Sequence, residues 1–128
     1  MNIPAELHYS DHDEWIRVEG DEIVTGITDY AQDQLSDIVY VELPEVGDHY
    51  EAGDAYGVVE SVKAASDVYM PAAGEVIAVN SDLEDEPEVV NEDPYGKGWF
   101  VRIKVDNAAG LDGLMDAAAY KSHIAARE

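Results

Sequence analysis

Short runs of β-type residues, separated by turn residues, recur along the whole chain and restrict the folds that it can adopt. Residues 14–19 and 22–27 form two such runs on either side of Gly20 and Asp21. Further runs of this kind cover residues 38–43, 75–80 and 99–105. Short strands at intervals of roughly 8–12 residues are typical of a β-sandwich or a β-barrel. A chain of 128 residues is expected to form one domain, so we predict a single, mainly β domain over residues 1–128.

Two segments are predicted to be helical. Thr28 and Asp29 suit the N-terminal cap of a short helix over residues 30–35. Asp116 precedes the alanine-rich residues 117–126, which favour a C-terminal helix. Residues 81–94 are acidic and contain two prolines, but they lack the ligand spacing of a calcium loop. We predict a solvated loop there, with room for one helical turn.

One lysine occupies the turn of a predicted β-hairpin. Two β-type runs flank the small and polar stretch that carries Lys63, which places this residue at or beside an exposed tip. Lys63 is the only lysine in the first ninety residues, and it stands between the acidic residues Glu60 and Asp67. Its neighbours Val62 and Ala64 are uncharged and mostly small. Another protein's active site would therefore have room to close around the lysine. We therefore interpret Lys63 as an acylation site for a prosthetic group on a swinging arm.

The charge of the chain is strongly negative. Its 29 acidic and 7 basic residues give a net charge of −22, and the acids are spread along the whole sequence. Such a field repels nucleic acid and anionic membranes. It also destabilises the compact state by self-repulsion, which concentrated salt screens. We predict a protein adapted to a salt-rich cytoplasm, with an ordinary acidic protein that binds basic partners as the alternative.

The chain contains no cysteine. Disulfides, thiolate metal sites and cysteine nucleophiles are therefore excluded, and any sulfur redox chemistry has to come from a cofactor. The four histidines show no metal-ligand spacing, and we predict no metal site. Residues 1–6 do not have the pattern of a signal peptide, and no apolar run approaches transmembrane length. We predict a cytoplasmic location.

The segment around Lys63 closely resembles the lipoylation site of the glycine cleavage system H protein family. The resemblance lies in residues 57–67, which read Gly-Val-Val-Glu-Ser-Val-Lys-Ala-Ala-Ser-Asp. Other segments resemble the family in the same order, namely residues 14–18, 26–32, 43–47, 89–96 and 98–99. The family usually has histidine directly before its Glu-Trp pair, whereas this chain has Asp13 there and His12 one residue earlier. We interpret that departure as a change in a surface turn.

The resemblance implies a fold, a cofactor and a set of partners. The fold is the barrel-sandwich hybrid of lipoyl and biotinyl carriers, and the cofactor is lipoate, bound as an amide to the Lys63 amine. The protein would be a carrier, expected to be monomeric, and not itself a catalyst. It would carry an aminomethyl group from a pyridoxal-phosphate glycine decarboxylase to a tetrahydrofolate-dependent aminomethyltransferase. It would then present the reduced dithiol of its lipoyl group to dihydrolipoyl dehydrogenase, which reoxidises it. A lipoylating enzyme would load it.

Three acidic residues are candidates for handling the arm. By resemblance, Glu14 and Asp67 would hold the cationic aminomethylated arm in a surface cleft. The amine of Lys63 must lose its proton to be acylated, whereas nearby acids favour its charged form. We therefore assign Glu60 and Asp67 to recognition by the lipoylating enzyme or to the loaded state, and not to activation of the lysine.

Alternatives from other classes remain open. A biotin carrier would share the fold, but that family typically flanks its lysine with methionines, where this chain has Val62 and Ala64. A lipoyl domain of a 2-oxoacid dehydrogenase would usually precede a linker and an acyltransferase domain. A related protein could instead relay lipoate to other enzymes. A purely structural acidic protein would leave Lys63 unmodified.

Overall fold

The computed structural model describes residues 1–127 and shows two antiparallel sheets that form a sandwich. The first sheet has the strand order β1-β2-β3-β9-β8-β5, and the second has the order β4-β6-β7. The strands are β1 His8–Tyr9, β2 Glu14–Glu19, β3 Glu22–Ile27, β4 Ile38–Glu42, β5 His49–Tyr50, β6 Ala55–Ser61, β7 Ala65–Tyr69, β8 Gly74–Val79 and β9 Val101–Val105. The mainly β architecture predicted from the sequence is confirmed.

Four α-helices and one short 3-10 helix complete the described part of the chain. The helices are α1 Asp29–Leu35, α2 Asp82–Asp85, α3 Val89–Glu92 and α4 Ala117–Arg127, and the 3-10 helix is Ala108–Leu111. Both predicted caps are present, because Thr28 Oγ1 accepts from Ala31 N at 3.1 Å and Asp116 Oδ1 accepts from Ala119 N at 2.8 Å. Within residues 1–127, no helix has the length and apolar character needed to span a membrane.

The larger sheet is buried on both of its faces where β2 and β3 pair. Ile16 and Ile23 belong to the core between the two sheets. Trp15 faces the other side, where Tyr120 of α4 stacks on Tyr9 with 4.7 Å between ring centroids. The hydroxyl groups of Tyr120 and Thr28 are hydrogen bonded at 2.7 Å, which ties α4 to the start of α1. The C-terminal helix therefore closes the outer face of the sheet.

The acidic segment over residues 81–94 exposes its acids as predicted, but it is not the predicted loop with one helical turn, because it has two helical turns and is anchored to the core. It forms α2 and α3, each of which inserts one apolar side chain, Leu83 or Val90, fully into the core. Most acids of the segment are exposed to water, while these two residues lose water contact. Burial of a valine or leucine side chain stabilises a fold by about 1.5–3 kcal/mol, which outweighs the weak preference of surface acids for an irregular loop.

Asn91 of α3 fixes the connection between α1 and β4. Its side-chain amide nitrogen donates to Gln32 Oε1 at 2.8 Å and to the Ser36 carbonyl oxygen at 2.9 Å. Its side-chain oxygen accepts from the Ile38 backbone nitrogen at 2.9 Å. One asparagine thus holds the end of α1 against the first residue of β4.

We expect Asn91→Ala to lower the free energy of unfolding by about 2–3 kcal/mol, because it removes three hydrogen bonds in a partly buried setting. Urea unfolding measures the change. The matched control is Glu92→Ala, which truncates the exposed neighbouring residue on the same helix. Equal stability of the two variants would show that Asn91 does not anchor this connection.

Candidate functional site

Lys63 lies in the tight turn between β6 and β7, as the hairpin prediction placed it. Ser61 organises the turn, since its hydroxyl oxygen accepts from the backbone nitrogens of Lys63 and Ala64, both at 3.1 Å. The Ser61 nitrogen donates to the Ala64 carbonyl oxygen at 2.8 Å. These bonds fix the backbone of the turn, while the Lys63 side chain is exposed.

The amine of Lys63 rests against the C-terminal end of α1. Lys63 Nζ donates to the Gln34 carbonyl oxygen at 3.3 Å. Carbonyl groups in the last turn of a helix have no partner within the helix and carry partial negative charge, which favours a cation there. The Val62 nitrogen also donates to the Asp37 carbonyl oxygen at 3.1 Å, so the hairpin tip is held beside the connection from α1 to β4.

A cavity of about 170 Å³ includes this end of α1 in its wall. Its lining brings together Gln34, Glu14 and Asp67. The remaining lining residues are His12, Asp13, Ile27, Ala31, Leu35, Val59 and Ser66. The structure therefore joins two of the three acids predicted from the sequence in one cavity, next to the carbonyl group that holds the lysine amine.

Glu14 is buried, with only 1% of its surface exposed. Its carboxylate accepts from Ser10 Oγ at 2.7 Å and from the Tyr69 nitrogen at 3.0 Å. Burial raises the pKa of Glu14 to about 7 against the lowering effect of these two hydrogen bonds, and the charges of Asp13 and Asp11 raise it further. Within residues 1–127, no cationic side chain lies within salt-bridge distance of this carboxylate.

Asp67 and Glu60 occupy different positions from Glu14. Asp67 is exposed on β7 opposite Val58 and belongs to the lining of the cavity. Glu60 is not part of the cavity lining, and it pairs with Tyr40 on one side and Ala65 on the other. Glu60 therefore faces the outer side of the three-stranded sheet, and it does not line the cavity that contains Glu14 and Asp67.

A larger cavity, of about 470 Å³, also borders Glu14. Its lining includes Ser10, Met70 and His123, but it contains neither Asp67 nor Gln34. Of these two cavities, the smaller one is lined by both Glu14 and Gln34, whose carbonyl oxygen binds the Lys63 amine. The smaller cavity therefore brings Glu14 close to the position of the Lys63 amine.

Asp13 is more than part of a surface turn, which corrects the interpretation made from the sequence. Its φ of 66° lies in the left-handed region, and its carboxylate accepts from the Tyr120 hydroxyl group at 3.0 Å and from the Arg127 guanidinium group. The Asp13 carbonyl oxygen accepts from the Thr28 nitrogen at 3.0 Å. The residue next to Glu14 is thus anchored to α4 and to the cap of α1, which positions one wall of the cavity.

Two residues of the site were not found by sequence reasoning. Ser10 donates to Glu14, and Gln34 supplies a backbone carbonyl group, so the side-chain type of Gln34 carries no signal. The sequence also showed no metal-ligand pattern, but the structure brings ligand atoms of His49, Glu51 and Asp106 within 4.8 Å of one another. All three are exposed, and the hydrogen bond from His49 Nε2 to Asp106 at 2.6 Å raises the pKa of His49. The contact in this cluster is an exposed hydrogen bond at the surface.

The sandwich and its lysine-bearing hairpin define the class of the protein as a lipoyl- or biotinyl-type carrier domain. Comparison with known proteins narrows the class. A sequence model described as "Glycine cleavage H-protein" matches residues 7–127, and the chain belongs to that family. Membership of the family supports a lipoyl carrier role in the glycine cleavage system.

Individual relatives agree along nearly the full chain. The glycine cleavage system H protein of Chromobacterium violaceum is 64% identical over 126 residues, which cover 98% of each chain. That of Acinetobacter baumannii is 57% identical over 124 residues, covering 97% of this chain and 100% of the relative. A crystal structure of a glycine cleavage system H protein from Mycobacterium marinum has a TM-score of 0.89 at 36% identity, covering 96% of this chain and 99% of that chain.

Proposed function

We propose that the protein carries lipoate as an amide on Lys63 and shuttles an aminomethyl group within the glycine cleavage system. The observation that carries the proposal is the position of Lys63, exposed at a hydrogen-bonded turn with its amine beside a cavity that contains Glu14 and Asp67. When bound, lipoate would supply a disulfide that is reduced as the aminomethyl cargo is loaded, and a dithiol that is later reoxidised. The cysteine-free chain offers no thiol of its own to compete in that exchange.

The residues near Lys63 fit an attached arm. The 61–64 turn fixes the direction of the lysine, and its exposed amine is accessible to a lipoylating enzyme. Acylation removes the positive charge of the amine, but the amide nitrogen keeps one hydrogen and can still donate to the Gln34 carbonyl oxygen. The same contact could therefore hold the base of the arm at the cavity.

Glu14 is suited to bind the cationic amine of the cargo. Its carboxylate is buried with hydrogen-bond donors but without a cation from residues 1–127. Two opposite charges at roughly 4 Å attract by about 4 kcal/mol at an effective dielectric constant of about 20. Asp67, being exposed, would contribute only about 0–1 kcal/mol. We assign Glu14 the main role and Asp67 a supporting role in the lining of the cavity.

We expect the double variant Glu14→Gln, Asp67→Asn to release the aminomethyl cargo to water at least about tenfold faster, since a loss of only about 1.4 kcal/mol suffices for that factor. The lifetime of the loaded protein, followed by ammonia and formaldehyde release, measures the effect. The control is Glu84→Gln, Asp85→Asn, which removes two exposed acids of α2. An unchanged lifetime in the first variant would contradict the assignment of both residues.

The catalytic work would belong to the partners. We propose that the decarboxylase, the aminomethyltransferase, dihydrolipoyl dehydrogenase and a lipoylating enzyme meet this carrier in turn, and that the chain itself is non-catalytic. Tethering the arm at a fixed tip would raise its local concentration at each partner. A monomer that binds each enzyme transiently is the state we expect.

Glycine–bicarbonate exchange with a purified glycine decarboxylase tests the function directly. We expect exchange to depend on the lipoylated protein and to be absent with the unmodified form. If exchange does not occur while lipoate is transferred from this protein to other lipoyl enzymes, the lipoate-relay alternative is correct. The family assignment gives no support to the biotin-carrier alternative. A biotin mass increment on Lys63 would be the evidence for it.

The charge of the protein bears on where it works. We propose a salt-rich cytoplasm as its setting, because the net charge of −22 is spread over the chain and salt would screen the resulting repulsion. The ion pairs within residues 1–127 neutralise few of these acids. The arginine pairs are Arg17–Glu19, Arg102–Glu19, Arg102–Glu22 and Arg127–Asp13.

A further inference from the structure

We propose that the outer face of the three-stranded sheet is the surface on which the lipoylating enzyme docks, and that this enzyme presents an apolar centre inside a basic rim. This inference rests on the proposed function, because it takes Lys63 to be the lipoylated residue. We call the surface the docking face and define it by six residues, Val39, Tyr40, Glu42, Val58, Glu60 and Val62.

The register of the sheet puts the docking face beside Lys63. Tyr40 pairs with Glu60, and Glu42 pairs with Val58, so these four side chains share one side of the sheet. The alternate residues Val41 and Val59 point to the core and are 1% exposed. The 61–64 turn directly continues β6, which makes the docking face continuous with the hairpin tip.

The docking face exposes apolar side chains that are not buried in the core of the protein. Val39, Tyr40 and Val62 are 54%, 47% and 66% exposed, and they are half of the six large apolar residues exposed within residues 1–127. A register shift between Ile38 and Tyr40 marks a bulge in β4, where two consecutive residues both face water. Bulges on edge strands often redirect side chains near functional sites, and β4 is an edge strand.

The charges around these apolar residues specify the partner. Glu42 and Glu60 flank Tyr40 and Val58, and Asp67 pairs with Val58 from the other side. From residue 18 to residue 96, Lys63 is the only lysine or arginine in the sequence. An apolar centre with an acidic surround is complementary to an apolar patch with basic residues at its rim.

The short length of the unmodified lysine side chain indicates which of the proposed partners uses the docking face, namely the lipoylating enzyme. Before modification, the arm is no longer than the Lys63 side chain, and its amine rests on the Gln34 carbonyl oxygen. An enzyme that acylates this amine has to contact the residues around the turn. Partners that act after lipoylation meet a longer arm and can engage the carrier from a greater distance.

Lipoylation kinetics of the unmodified protein, with lipoate, ATP and a lipoate–protein ligase, test the proposal. The variant Val39→Ser, Tyr40→Ala changes only β4 and leaves the turn around Lys63 intact. We expect its KM to rise at least about tenfold with little change in kcat, as for loss of central apolar contacts in an interface. The control is Val18→Ser, Val46→Ser, which alters two apolar residues of 42% and 61% exposure outside the docking face. Its KM is expected to stay within about twofold of that of the unaltered protein.

Charge reversal provides a second readout. Glu42→Lys, Glu60→Lys is expected to lower kcat/KM and to weaken its dependence on salt, whereas Glu84→Lys, Glu88→Lys on the acidic segment changes neither. Wild-type kinetics for both docking-face variants, with Lys63 still lipoylated, would overturn the docking proposal alone. Failure of the unaltered protein to accept lipoate would instead refute the proposed function.

Discussion

Replacing Lys63 with arginine is expected to abolish lipoyl attachment and to reduce carrier activity to the level measured without the protein. Arginine preserves the positive charge, so contact with the Gln34 carbonyl oxygen can persist. A guanidinium group stays protonated at neutral pH and cannot act as the free amine that acylation needs. The backbone of the turn is fixed by Ser61 and not by the lysine side chain, so the fold is expected to be unchanged.

Intact mass after incubation with a lipoylating enzyme measures attachment, and glycine–bicarbonate exchange measures carrier activity. Lys97→Arg is the matched control, because Lys97 is also exposed but lies outside the hairpin. Its lipoylation and exchange activity are expected to equal those of the unaltered protein. A lipoyl group on the Lys63→Arg variant would show that another residue carries the arm.

Replacing Glu14 with glutamine is expected to remove a pH-dependent loss of stability worth about 3 kcal/mol. The pKa of Glu14 is raised from 4.5 to about 7, mainly by burial, and each pKa unit corresponds to about 1.36 kcal/mol. Between these two values the unfolded state releases the proton while the folded state retains it. Stability therefore falls as the pH rises from about 4.5 to about 7, and the loss is complete above that value.

Urea unfolding at pH 5.5 and pH 8 captures about 2 kcal/mol of this effect. The quantity to compare is the change in unfolding free energy between the two pH values, in the unaltered protein and in the variant. Glu84→Gln removes a charge from an exposed position and is expected to leave that change as it is in the unaltered protein. Equal pH dependence in the unaltered protein and the Glu14→Gln variant would show that Glu14 does not titrate as a buried carboxyl group.

The loss of stability caused by the charged form of Glu14 is related to the role that we propose for this residue in binding the cargo. A buried carboxylate that destabilises the empty protein is neutralised when a cation binds beside it, so the cargo amine would recover part of the cost. The same carboxylate would be protonated at low pH and would then bind the amine weakly. The binding role that we propose for Glu14 thus depends on the same burial that lowers the stability of the protein when this carboxylate is charged.

Local patterns predicted much of the fold. Turn residues separated the strands correctly, Thr28 and Asp116 cap the helices as expected, and the hairpin places Lys63 at its tip. Each of these features depends on residues close together in the sequence. Local propensity is therefore sufficient to identify them.

The burial of Glu14 could not be predicted in this way. Trp15 and Ile16, on opposite faces of β2, are both fully buried, so alternation along the strand does not tell which face meets water. The answer depends on α4, which covers the outer face from a position about one hundred residues later in the chain. The bond from Tyr69 to Glu14 likewise joins elements that are distant in sequence.

The acidic segment over residues 81–94 was mispredicted for a different reason. Its charge predicted a loop, yet Leu83 and Val90 each bury a side chain and Asn91 forms three tertiary hydrogen bonds. Acids dominate the composition there because most of the segment faces water. Two apolar anchors in an acidic stretch are too few to form a periodic pattern, although they are enough to fix the segment to the core.

The mass of the Lys63 peptide, measured on protein purified from its native host, shows whether Lys63 carries lipoate. Peptide mapping that follows an intact-mass measurement would locate any modification. We expect a lipoyl increment on the peptide that contains Lys63. An unmodified Lys63, in cells whose other carrier proteins are lipoylated, would contradict it.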